Sequence, residues 1–234
     1  MDPTIAVIVG IIALLAVALS SGSRGSKAEP IAGDTFYGDS ATRCGWYDSN
    51  MVLHHHSPDI VQMVSALTGR PAVNRAINGL SLLTLIRGGS VPNSSLGEGA
   101  VDVPPLEQQL RADPGRFVVL GCGHVDAMFS SITAEDFRLL VLHAVALVQE
   151  AGKTPVLRGL NRFVANDRVT PDMLARRDQF DAIIRQAAET SGVRFVDVSA
   201  VDFYGSSDIC EDGVHATPDY CRRIAAAIAQ TLKT

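Results

Sequence analysis

An α/β domain built on a doubly wound parallel sheet is predicted by three features of the sequence. From Ile31 onward, short apolar runs alternate with longer amphipathic ones, the pattern of parallel strands joined by helical crossovers. The apolar runs are Ile31–Tyr37, Ala72–Ile77, Phe117–Leu120, Thr154–Arg158 and Arg194–Val198, short enough for strands. Only 19% of the 234 residues are charged against 47% hydrophobic, which suits a sheet covered on both faces.

Each helical run carries its own signals. Ser57–Thr68 opens on Ser57 as a candidate N-cap with Pro58 at its first position, and Gly69 stops it. Pro105–Ala112 is short and begins at a proline. Ala134–Ala151 places apolar residues at 137, 140, 141, 144, 145 and 148, a stripe at helical spacing, and ends at Gly152. Pro171–Ser191 carries Arg176, Arg177, Asp178 and Arg185, read here as a solvated outer face. Thr217–Leu232 closes the pattern. Residues 87–104, rich in Gly, Pro and Ser, read as a long loop near one sheet edge. Five strands and their crossovers fit one domain over 31–234.

The segment before it differs in kind. Residues 5–19 are aliphatic apart from Gly10, and a Gly/Ser-rich linker follows to Pro30. Fifteen helical residues rise only about 22 Å, short of a hydrocarbon core of about 30 Å. Residues 1–30 therefore read as a leader or short membrane anchor plus linker, with residues 5–19 as the membrane contact. Ala18-Leu19-Ser20 offers the small residues of a signal-peptidase site. In contrast, the acid and the lack of bases before the apolar run, with Arg24 and Lys27 after it, favour a cytoplasmic C-terminal domain. A secreted or envelope-associated domain is expected, with the cytoplasmic side left open. The formal charge of −5 gives no footprint for nucleic acid. No Cys-x2-Cys pair marks a structural zinc site.

Two motifs fall at the ends of the expected strands. Gly38-Asp39-Ser40 follows the first strand directly, where open α/β sheets build their crevices. Asp212-Gly213-Val214-His215 precedes the last helix. A serine hydroxyl is a weak nucleophile; it needs a base, and the base needs an orienting acceptor. An Asp three residues before a His supplies both from one loop. Singly, each motif also reads as an ordinary turn.

Together they resemble the SGNH, or GDSL-type, hydrolase family. Residues 67–79 support the likeness, since a strand there runs into Asn74-Arg75-Ala76-Ile77-Asn78-Gly79 in the manner of that family's second block. The resemblance covers about Ile31 to Leu232. It implies a flavodoxin-like three-layer α/β/α sandwich with a five-stranded parallel sheet. It also implies a serine esterase acting on acyl or acetyl esters, of a small molecule or a carbohydrate, with no metal and no cofactor. Carried over, Ser40 is the nucleophile, His215 the general base and Asp212 the orienting carboxylate, while the N–H groups of Ser40 and Gly79 point into the oxyanion hole. Ala76 stands where the family commonly has glycine.

The third block departs from the family. Gly-x-Asn-Asp is usual, the asparagine donating to the oxyanion, but the chain reads Gly121-Cys122-Gly123-His124-Val125-Asp126. The asparagine position is Val125 or Gly123, and neither side chain donates. His124 is the expected replacement donor, with a loop histidine bonded to backbone as the competing reading. A fold retained as a weakly active or non-catalytic binding component is the alternative function. His54-His55-His56 stand either at the cleft mouth or in a solvated loop. Two disulfides, Cys210–Cys221 and Cys44–Cys122, fit an oxidising compartment; four small buried thiols fit a reducing one. Asn161 is expected to reach the cleft or to cap its loop.

Overall fold

The computed structural model of the chain describes residues 33–92 and 100–233. The leader and linker expected over 1–30, with the membrane contact at 5–19, lie outside the described residues. Strand β1 (Asp34–Gly38) is followed by a hairpin of β2 (Gly45–Tyr47) and β3 (Leu53–His55), helix α1 (Ile60–Thr68) and strand β4 (Ala72–Asn74). Helix α2 (Leu82–Arg87), strands β5 (Gly89–Val91) and β6 (Val101–Val103), helix α3 (Leu106–Ala112) and strand β7 (Phe117–Gly121) come next. Helices α4 (His124–Phe129) and α5 (Ala134–Glu150), strand β8 (Thr154–Arg158), helix α6 (Pro171–Ser191), strand β9 (Arg194–Val196) and helix α7 (Pro218–Lys233) complete the fold.

Five of these strands form one parallel sheet in the order β4-β1-β7-β8-β9. The chain runs outward from β1 to β4, then returns to pair β7 on the other side of β1, from Asp34↔Phe117 to Gly38↔Gly121. That reversal opens a crevice at the carboxyl ends of β1 and β7. Alternation along the strands feeds two cores. Phe36, Val119 and Val156 pack beneath α1 and α7; Tyr37, Val118, Leu120 and Leu157 pack against α2, α3, α5 and α6. The molecule is thus the expected three-layer α/β/α sandwich.

Several details differ from the expectations. Helix α1 starts at Asp59 rather than Ser57: Asp59 Oδ1 accepts from Gln62 N–H at 2.8 Å and Gln62 Oε1 from Asp59 N–H at 2.9 Å, a reciprocal cap that Ser57 does not form. The segment 87–104 is no simple loop, because β5 and β6 pair antiparallel within it. Helix α6 does not present all of its charges to water. Arg177 is only 5% exposed; its Nε donates to Asn161 O at 2.7 Å and its Nη2 donates to Leu160 O. It braces the loop after β8 from below.

Candidate active site

The turn after β1 sets Ser40 at the crevice. Asp39 Oδ1 accepts from Ala41 N–H at 3.0 Å and Asp39 O from Thr42 N–H at 3.1 Å, so the acid folds the chain around the serine. The other motif folds in the same way. Asp212 Oδ1 accepts from Val214 N–H at 2.9 Å and His215 N–H at 3.0 Å. Cys210 N–H to His215 O, at 2.8 Å, closes that loop, and Pro218 begins α7 just beyond it. The two segments lie 175 residues apart in sequence, yet they meet across the crevice.

Ser40 Oγ is 2.7 Å from His215 Nε2, and His215 Nδ1 is 2.7 Å from Asp212 Oδ2. All three side chains are buried. Burial opposes charge on Asp212, but the His215 ring and the N–H groups of His215 and Tyr47 outweigh it and hold the carboxyl at about 2. Tyr47 N–H reaches Asp212 Oδ2 at 2.8 Å, so the β2–β3 hairpin supports the acid. An ionised Asp212 accepts the Nδ1–H and leaves Nε2 as the acceptor facing the serine hydroxyl. The relay is therefore set up to withdraw a proton from Ser40.

His124 comes to the site but not as an oxyanion donor. Its Nε2 accepts from Asn161 N–H at 2.9 Å, and its Nδ1 lies 3.1 Å from Asp39 Oδ2. With Nε2 an acceptor, Nδ1 carries the proton to Asp39, and no ring N–H is left for a substrate. Burial, against the pull of Asp39, keeps the His124 pKa below its usual range, so the ring is neutral. Burial likewise opposes charge on Asp39, yet the His124 ring, the Arg158 guanidinium and the Ala41 N–H hold its carboxyl below the usual range. Asn161 is fully buried; its Oδ1 accepts from Arg158 Nη2, so it buttresses the site without lining the cleft. Asp39, Arg158 and Arg177 were missed as site residues. Only Asp39 carried a signal, its place beside Ser40.

Gly79 lies in a turn closed by Leu80 N–H to Ile77 O at 3.1 Å, and its φ of +77° suits glycine. Ile77 N–H donates to Gly38 O at 2.9 Å, which brings this turn against the end of β1. Neither the Ser40 N–H nor the Gly79 N–H donates to another group among the described residues. At Gly123, one of the two positions for the missing side chain, φ is +131° and a Cβ would crowd Leu160 Cδ2 at 3.0 Å and Phe137 Cζ at 3.2 Å.

The three consecutive histidines divide across the hairpin. Trp46 stacks on His54 and His56, with centroids 4.7 and 6.0 Å apart, while His55 sits opposite Gly45. Among the described residues no three metal-ligating side chains converge. Of the two readings of the cysteines, the structure carries the four free thiols, three of them buried and Cys210 half-buried. Cys44 packs in the core under α1 and α7, whereas Cys122 belongs to the core on the opposite face, so the sheet separates that pair. Cys221 Sγ instead donates to Ala216 O at 3.7 Å, with the neighbouring Cys44 thiol and burial raising its pKa, and Cys210 Sγ lies 3.6 Å from His56 Nε2.

A hydroxyl, an imidazole and a carboxylate in line at the switch point of a doubly wound sheet have the form of a serine hydrolase. The family model confirms the class: residues 36–223 match the GDSL-like lipase/acylhydrolase family, and the chain belongs to that family. It is a carboxylic ester hydrolase. Three solved structures show the fold alone. The aryl esterase of M. smegmatis superposes with a TM-score of 0.70 at 14% identity, over 86% of this chain and 98% of that one. A GDSL-like lipase from Bacteroides thetaiotaomicron gives 0.61 at 14% identity, over 94% and 96%. The acetylxylan esterase Axe2 from Geobacillus stearothermophilus gives 0.59 at 16% identity, over 87% and 94%. No curated protein matches the chain by sequence.

Proposed function

We propose that the protein hydrolyses short acyl esters, acetyl esters of a carbohydrate among them, through an acyl-enzyme at Ser40. The observation that carries this reading is the pair of 2.7 Å contacts joining Ser40, His215 and Asp212. Ser40 Oγ attacks the ester carbonyl while His215 Nε2 takes its proton. The negative charge on the carbonyl oxygen meets the N–H groups of Ser40 and Gly79. Collapse expels the alcohol, which leaves with the proton from His215. Water, deprotonated by His215, then attacks the acyl group and frees the acid, returning the proton to Ser40. Asp212 stays ionised throughout and stabilises the imidazolium.

The acetyl preference is supported by the buried setting of Ser40, 7% exposed, and by the acetylxylan esterase among the similar folds. Residues 5–19 would tether the domain to a membrane or direct its export, next to such polymers. The test is hydrolysis of p-nitrophenyl acetate, p-nitrophenyl octanoate and acetylated xylan by the wild type and Ser40→Ala. The acetyl substrates should be favoured, and Ser40→Ala should lose at least about 10³-fold in turnover. Equal rates for the two proteins would end the serine mechanism; a preference for octanoate would end the short-acyl assignment.

A further inference from the structure

Hydrolysis through Ser40 generates an oxyanion, to which the proposed mechanism gives two backbone donors. The third-strand loop adds no side-chain donor: both nitrogens of His124 are engaged, Gly123 carries no side chain, and Val125 is apolar. A different side chain is unspent. Asn78 is 4% exposed, its Oδ1 is sealed from solvent without a partner, and its amide makes no hydrogen bond to any described residue. Buried amides are almost always paired, and an exception in a crevice calls for a ligand.

The fold fixes where that amide sits. Asn78 and Gly79 are the two central residues of the turn from Ile77 to Leu80, pinned by Ile77 N–H to Gly38 O, two residues before Ser40. The turn that offers the Gly79 N–H therefore also carries the unpaired amide. Thr42 Oγ1, Arg158 Nε and Nη1, and Asn161 Nδ2 are unpartnered too, but they are sealed atoms. Asn161 and Arg158, 0% and 1% exposed, sit with the His124–Asp39 pair and present nothing to an ester. The Asn78 nitrogen is not sealed in this way.

We propose that Asn78 is a catalytic residue, its Nδ2–H donating to the substrate carbonyl oxygen beside the N–H groups of Ser40 and Gly79. The inference rests on Ser40 as nucleophile. The bond strengthens as charge grows on the oxygen, so it acts on the transition state more than on the bound ester.

The experiment compares wild type, Asn78→Ala, Asn78→Asp and Ser40→Ala with p-nitrophenyl acetate and with phenylboronic acid. Boron accepts Ser40 Oγ as the proton passes to His215, giving a tetrahedral anion in the place of the reaction's own. Asn78→Ala and Asn78→Asp should each lower kcat about 10²-fold with KM within about threefold, and weaken boronate binding in parallel. Asn78→Asp keeps the size of the side chain but presents no donor when ionised, so it decides the matter if Asn78→Ala fails to fold. Turnover within about threefold of wild type in a folded variant overturns the proposal, as does lost turnover with unchanged boronate affinity. An active Ser40→Ala would overturn the nucleophile assignment instead, a separate outcome.

Discussion

His124 Nδ1 lies 3.1 Å from Asp39 Oδ2, and Asn161 N–H lies 2.9 Å from the other ring nitrogen. One neutral imidazole thus ties together the loops after β1, β7 and β8. Since Asp39 also folds the turn that carries Ser40, the position of the serine depends on a ring it does not touch.

His124→Ala leaves Asp39 Oδ2 buried without its donor. The expected loss is about 3 kcal/mol of stability and at least tenfold in kcat, with KM little changed. Urea unfolding and steady-state kinetics check it. Unaltered unfolding would mean the pair carries no strain-bearing role.

Gly123→Asn restores the family's residue type at one of its two possible positions but not its function. The φ of +131° and the contacts to Leu160 and Phe137 oppose any side chain there. The variant should be less stable by about 2 kcal/mol or more and no more active. A gain in turnover on p-nitrophenyl acetate would contradict the geometry.

Arg177→Lys replaces a planar fork with a single ammonium. The fork spans Asn161 O and Leu160 O, two carbonyls that one ammonium on a flexible stem cannot hold alike. About 2 kcal/mol of stability should go, read as a lower midpoint in urea. A midpoint equal to that of the wild type would return this residue to the solvated face first assigned to it.

Asp126 gives a pH signature. Burial raises its pKa from 3.8 to about 6, although Leu82 N–H donates to its Oδ2 at 2.9 Å. The folded state therefore binds its proton more tightly than the unfolded one. Its contribution is fully present below about pH 4 and is lost as pH rises to about 6, some 3 kcal/mol in all. Asn keeps an oxygen for Leu82 and has no proton to lose. The stability of Asp126→Asn relative to wild type should rise by about that amount between acid and neutral pH. A constant difference across the range would place the proton elsewhere.

How much of this was legible in the sequence depends on the distance over which each feature is decided. Pro171–Ser191 was bounded correctly because Thr170, Pro171 and Gly192 are local stop and start signals. The Gly38–Ser40 turn and the Asp212–His215 loop fold through their own aspartates, so their motifs were readable. Ser57 was preferred to Asp59 as a cap because both types qualify, and only the reciprocal Gln62 contact separates them. Strands of three residues, such as Gly45–Tyr47, are too short for alternation to show. His124 was visible as a residue, but its partners come from 85 and 37 positions away. The cysteines left two readings open because nearness to a motif does not say which face of the sheet a thiol occupies.

The 175-residue separation of Ser40 and His215 bears on when activity begins during synthesis. Strand β1 and its turn are made early, and the base is not made until most of the domain has been translated. A nascent chain paused anywhere before residue 215 holds the serine without its base. On the proposed mechanism the enzyme is therefore silent until that residue has been made. A ribosome-bound chain ending before that residue would pass among the cell's own esters without cleaving them.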